Sequence, residues 1–289
     1  MSRPRSGPTV ALRLFAADLR ARREAAGLTI EAAAASLGVH EMTVSRLERA
    51  QTAPRTATVT HLLGLYRTPA DEARHVLDAL DDALRPGWWH PWRSLLPDHL
   101  AGVIDLESAA GMIRSYAPGV VPELLQTPGY ARALLHLRHP YADEGEIEQR
   151  LELLYARQKH TLGRERPPRL WVLMEEAVLT RPVTDDPAVM REQLEALDRH
   201  TVRRDFVTVQ VIPASAGPHP LLLGGPADIL RYDHALLADR LIVRGLHAET
   251  ATVTDDLGAV RTYQAAMDVT ATLALSPTAR LPLPKGHAQ

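Results

Sequence analysis

The 289-residue chain has no cysteine, which removes disulfide staples, thiolate catalysis and thiolate metal sites together. It also has no long apolar run. The longest unbroken aliphatic stretches, such as Ala32 to Ala35 and Leu221 to Leu223, fall far short of the ~20 residues a membrane helix requires. The start, Met1 to Thr9, is basic, but Arg13, Asp18 and Arg20 interrupt the segment after Val10 before a signal-like apolar block forms. A soluble cytoplasmic protein is the expectation. Lysine is scarce as well, 2 residues against 31 arginines. That bias in type follows from GC-rich codon usage and carries little functional weight.

What is present is ordinary globular composition, 45% apolar and 24% charged, on a length that suggests about two domains. The position of the charge is informative. Residues 1–67 hold ten arginines against Asp18, Glu24, Glu31, Glu41 and Glu48, a formal +5, while the other 222 residues carry 23 basic against 30 acidic side chains, or −7. A basic front on an acidic body points to a polyanion-binding module attached to something that avoids polyanions.

Leu12, Phe15, Ala16 and Leu19 recur at helical spacing, and Gly27 ends that run. Thr29 caps a second helix with Ala33, Ala34 and Leu37 inward, closed by Gly38; a third begins near Glu41 with Val44 and Leu47 inward. Thr56 is expected to cap a fourth carrying Val59, Leu62, Leu63 and Tyr66. This predicts an all-helical domain over 1–68, followed by a linker helix over 69–87 that Arg85, Pro86 and Gly87 break. Trp88, Trp89 and Trp92 come next. They read either as rings packing the linker helix onto the second domain or as a stacking platform for a ligand.

The second domain, 88–276, mixes periods. Helices are expected over Leu106 to Tyr116, Pro122 to His136, Glu144 to Leu162, Pro187 to Arg203 and Asp256 to Leu275. Strands are expected over Leu170 to Met174, Phe206 to Ile212, Ala227 to Tyr232, Arg240 to Arg244 and Glu249 to Thr254, with a hairpin around Asp233 to Asp239. The fold class is therefore mixed: an all-α N-terminal domain, then an α+β domain with a mixed sheet. Residues 277–289, proline-rich and aperiodic, read as a flexible tail.

Residues 29–50, TIEAAAASLGVHEMTVSRLERA, have the layout of a helix-turn-helix. Ala34 is small where two helices cross, Gly38 takes a positive φ, and Val44 and Leu47 pin the third helix. Its other face presents Glu41, Met42, Thr43, Ser45, Arg46 and Arg49, a polar and basic surface suited to a major groove about 12 Å wide. Over residues 10–66 the sequence resembles the XRE family, the lambda-repressor-like or Cro-type DNA-binding domains. The resemblance implies that His40, Glu41, Met42, Thr43, Ser45 and Arg46 face base edges, that Thr29 and Arg55 hold phosphates, and that Arg23 and Glu48 form a structural ion pair. Ile30 stands where the family commonly has Gln, and Ala50 where it has Gly.

Beyond it, Trp88-Trp89, YAPGVVPELLQTPGYARALL from Tyr116, Arg157-Gln158, EEAVLTRPV from Glu175 and VTVQVIPASAGPHP from Val207 resemble the effector domain of actinobacterial antitoxin-like transcriptional regulators. Arg244 departs from that pattern, where an acidic residue is usual. The resemblance implies a double-stranded-DNA-binding, nucleoid-associated homodimer whose second domain binds a small toxin-like protein encoded nearby, or an effector. The alternatives are an antitoxin whose DNA binding serves autoregulation only, and an enzyme with a DNA-targeting domain.

Against catalysis stands the lack of a nucleophile elbow, phosphate loop or dinucleotide fingerprint. Ser215 with His219 reads as ordinary loop chemistry, and His136 with His139, three apart on an expected helix, lacks a third metal ligand. No catalytic residue, metal or cofactor is expected. Glu107, Arg157, Gln158 and Glu176 are charged or polar residues inside apolar segments, and such groups need partners. They form either an internal network or, with Trp88 and Trp89, an effector pocket.

Overall fold

The computed structural model describes residues 9–96, 98–203, 206–234, 236–245 and 251–282. The chain divides into two compact units, one of residues up to Pro91 with 234–237, the other the remainder.

The first unit is helical: α1 (Val10–Ala25), α2 (Ile30–Leu37), α3 (Glu41–Glu48), α4 (Thr56–Leu65) and α5 (Ala70–Ala83). Local chemistry sets the ends. The Thr9 and Thr29 hydroxyls accept from the Leu12 and Ala32 amides and so cap α1 and α2. Gly27 and Gly38 take φ of 69° and 65°, the left-handed conformation in which a Cβ is disfavoured. Thr56 is the first residue of α4, and the capping position before it falls to Arg55, whose side chain makes no capping bond.

The apolar faces meet in one core containing Phe15, Leu19, Ala33, Ala34, Val44, Leu47, Leu62, Val76 and Leu80. The segment expected to be a linker is thus a fifth packed helix. Its residues Val76, Leu80 and Ala83 recur on one face and are buried there.

The second unit runs α6 (Asp98–Ala109), β1 (Met112–Ala117), a 3-10 turn at Glu123–Leu125, α7 (Pro128–Arg138), α8 (Glu144–Leu162), β2 (Arg169–Glu175) and α9 (Ala177–Thr180). It continues with α10 (Pro187–Arg203), β3 (Val207–Ile212), β4 (Ala227–Arg231), β5 (Arg240–Val243), β6 (Thr252–Thr254) and α11 (Leu257–Ala271). The six strands form a mixed sheet in the order β3-β2-β1-β4-β5-β6. β1, β2 and β3 are parallel, whereas β4, β5 and β6 join antiparallel. Tyr116, Leu173, Ile229 and Leu241 point to one face and pack with Val260 and Met267 of α11.

Three expectations change here. Leu106 to Tyr116 is not one helix: α6 stops at Ala109 and β1 follows Gly111, where a Cβ would sit 2.4 Å from Asp233. β1 is buried on both faces beyond its first residue, so it lacks the alternation that marks a half-exposed strand. Pro122 to His136 splits into the 3-10 turn and α7, whose first residue is Pro128, a residue favoured at helix starts. The last expected strand shortens to β6, with 249 and 250 outside the described residues. Of the expected tail, 283–289 also lie outside them, while Leu281 is buried.

Two non-glycine residues adopt left-handed backbone, Ala50 (φ 56°) after α3 and Arg67 (φ 55°) after α4. Such a conformation costs an L-residue about 1–2 kcal/mol. The Ala50 methyl is buried, so removing it forfeits about 0.8 kcal/mol of transfer energy and cancels most of the relief. The Arg67 side chain is exposed. Arg67→Gly should therefore raise stability by about 1 kcal/mol in denaturant unfolding, and Ala50→Gly by clearly less.

Candidate nucleic-acid interface

α2 and α3 are joined by a tight turn in which the Gly38 and Val39 amides donate to the Ala35 and Ala34 carbonyls. His40 caps α3, its Nδ1 accepting from the Met42 amide at 3.2 Å, which in the neutral ring leaves Nε2–H as the donor. Val44, Leu47 and Glu48 face inward; Glu41, Met42, Thr43, Arg46 and Arg49 are exposed, and Ser45 is half-buried. One helix therefore has a core-facing seam and an outward polar face.

The arginines of this unit fall into two sets. On α1, Arg20 pairs with Glu24, Arg22 with Asp18 and Glu72, and Arg23 with Glu48. By contrast, no hydrogen bond or ion pair holds the side chain of Arg46 or Arg55 among the described residues, and both are exposed. Arg49 folds back along its own helix, Nε donating to the Ser45 carbonyl and Nη2 to the Met42 sulfur. Thr29 spends one acceptor site on capping, and its hydroxyl proton remains available to a phosphate oxygen.

Behind the exposed face, Arg23 meets Glu48 in a two-pronged contact, Nε to Oε1 at 2.7 Å and Nη2 to Oε2 at 2.9 Å, while Nη1 donates to the Leu28 carbonyl at 2.7 Å. Both side chains are buried. The Glu48 hydrogen bond holds the Arg23 guanidinium above its ordinary pKa. Nearby Tyr66 is pushed up to about 12 by burial, with the Glu48 charge adding to the shift. The expected structural pair is thus formed, and it ties α1, the α1–α2 turn and α3 together.

The second unit contains a different arrangement. Arg157 of α8 grips Glu107 of α6 with two donors, Nη2 reaching Oε1 at 2.9 Å, and also bonds Glu123. Arg138 donates to the Glu123 Oε1 at 2.9 Å. Arg244 bonds Asp228 at 2.7 and 2.6 Å and lies 3.8 Å from Glu123. Burial opposes charge on Glu123, but Arg157, Arg244 and Arg138 outweigh it and hold the carboxyl well below the usual carboxylate range. Glu107, Glu123, Arg138, Arg157, Asp228 and Arg244 line a cavity of about 280 Å³ that runs along β1 and the loop after it.

Of the residues expected at an effector pocket, Glu107 and Arg157 are there. Gln158 lies beside it, donating to the Glu123 and Gln126 carbonyls. Glu176 is elsewhere, accepting from the Ala214 amide, and Trp88 and Trp89 belong to the first unit. Glu123, Arg138 and Asp228 carried no sequence signal of this role, because each reads as an ordinary surface charge. Arg244 did stand out as an oddity of type, and its partner is Asp228. A second buried network joins Tyr116, Glu175 and His219: the phenol donates to Glu175 Oε1 at 2.9 Å, and His219 Nε2 lies 3.0 Å from the same oxygen. His139 falls just past the end of α7 and so shares no helix face with His136.

The outward third helix on a packed helical unit defines a helix-turn-helix domain, and residues 14–76 match the family described as "Helix-turn-helix domain". That supports a DNA-binding regulator. Residues 100–281, more than half of the chain, match the family described as "Domain of unknown function (DUF5753)", and the chain belongs to that family. No curated protein and no solved structure matches it. Among the described residues no helix is long and apolar enough to cross a membrane.

The ion pair makes a stability prediction. Glu48→Leu leaves the Arg23 guanidinium buried without its partner and should cost about 3–5 kcal/mol, whereas Arg23→Met with Glu48→Leu should recover more than half of that loss. Urea unfolding of the four proteins of this cycle checks it.

Proposed function

We propose that the chain is a sequence-specific transcription regulator of the XRE type. α3 lies in the major groove, with His40, Glu41, Met42, Thr43 and Ser45 toward base edges. Arg46 meets guanine O6 and N7 with its planar fork. Thr29, at the start of α2, and Arg55, at the start of α4, hold phosphates and set the register. The observation that carries this reading is that Arg46 is exposed and unpaired on a helix whose opposite side is locked into the core. A guanidinium held for structure is expected to be spoken for, as Arg23 is.

In this reading the protein acts as a homodimer on half-sites roughly 34 Å or a multiple apart. The second unit dimerises and receives a signal from a small toxin-like protein partner or an effector, as its resemblance to antitoxin-like regulators implies. It has no catalytic role, and the protein works in the cytoplasm at the nucleoid. Exposed apolar residues in the second unit, Leu222, Leu223 and Val269 among them, are consistent with a surface that is covered in an assembly.

Arg46→Ala tests the DNA reading. Binding to the preferred duplex should weaken by about 1–3 kcal/mol, and discrimination should relax at one base pair while holding elsewhere. Mobility shifts on a set of single-base variants of the bound site measure both. An equal loss on every sequence would make Arg46 a phosphate contact instead.

A further inference from the structure

We infer that the second unit binds a small amphipathic carboxylate, its head held by Arg138 and Arg244 and its tail lodged among leucines of α7 and α8. This rests on, and deepens, the reading of that unit as the signal-receiving part.

Two chambers meet at Glu123. The one of about 280 Å³ contains Glu107 and Asp228, so its acids answer its arginines. The other, about 150 Å³, shares Glu123, Arg138, Arg157 and Arg244 with the first but adds Arg150 and, among the described residues, no further carboxylate. Four arginines therefore line it against one acid. The rest of its wall is largely apolar, including Leu95, Ile104, Leu134, Leu135, Leu153 and Leu154.

Donor accounting separates structural from available cations. Arg157 uses three donors on Glu107 and Glu123 and is committed. Arg150 is held by Glu146 at 2.6 Å. Each guanidinium has five N–H donors. Among the described residues, Arg138 bonds through Nη1 only and Arg244 through Nε and Nη2 to a single Asp228 oxygen. Arg244 Nη1 lies 3.8 Å from Glu123, near enough for attraction and too far for a hydrogen bond. Both side chains are about a third exposed, at 36% and 29%.

The chamber thus offers unspent planar donors beside an apolar wall. That is the complement of a carboxylate on a hydrocarbon. A cationic head would meet the Arg138 and Arg244 guanidiniums, and a neutral one would leave their spare donors unanswered.

Calorimetric titration of the full-length protein with octanoate tests this. Saturation at one octanoate per chain is expected, with affinity at least 10-fold weaker for Arg138→Gln. Octylammonium, of equal length and opposite charge, should give no saturable heat. Because Arg138 also supports Glu123, a second variant guards against misfolding: Leu134→Trp fills the apolar chamber while keeping every charge of the ion cluster and should abolish binding. Non-saturating octanoate, octylammonium or 1-octanol binding as tightly as octanoate, or unchanged affinity in Arg138→Gln or Leu134→Trp overturns the inference. These titrations contain no DNA, so their failure leaves the Arg46→Ala result standing. Failure of that result leaves the titrations readable.

Discussion

The buried contact between Arg23 and Glu48 is the constraint on which the interface depends. Helix α3 is only eight residues long, too short to hold its shape alone, and its outward face is polar. Val44 and Leu47 supply an apolar anchor, but apolar contact is non-directional. A two-pronged guanidinium–carboxylate contact fixes an angle as well as a distance. By gripping Glu48 and the Leu28 carbonyl at once, Arg23 sets the rotation of α3 about its axis, and with it the direction of Arg46. The desolvation such a pair requires makes it a poor source of stability. Its value here is orientation.

The two units use arginine in opposite ways. In the first, Arg20, Arg22 and Arg23 of α1 are paired with acids on α1, α3 and α5, whereas among the described residues the Arg46 and Arg55 side chains carry no ion pair. Arg46 therefore presents an unpaired cation on the outward face of α3. In the second unit Arg157 and Arg244 turn onto Glu107, Glu123 and Asp228 beside a cavity. Those charges line a cavity, and the acidic surplus of that unit disfavours nucleic acid.

The helix-turn-helix was legible because its constraints are local. Gly38 must turn left-handed, Thr29 must cap, Ala34 must be small, and each lies within a few residues of what it serves. The Arg23–Glu48 contact spans 25 positions and was legible only through family resemblance. β1 was misread because burial on both faces erases alternation: Arg114 survives in that strand by lying 4.2 Å over the Trp171 ring and bonding Asp268, partners that no local window contains. Glu107 and Arg157 stood out as charges in apolar segments, yet Glu123 looked like any acid in the first turn of a helix. Its meaning comes from Arg157, 34 positions away, brought near by the packing of α8 against the 3-10 turn.

The account stands or falls on whether the outward face of α3 distinguishes one duplex from another. Selection of bound duplexes from a random-sequence pool by the full-length protein, followed by sequencing, measures this directly. Enrichment of a defined motif containing a guanine whose replacement abolishes enrichment is the predicted result. Recovery of a pool no different in sequence from the input, whether or not duplex is retained, would contradict it.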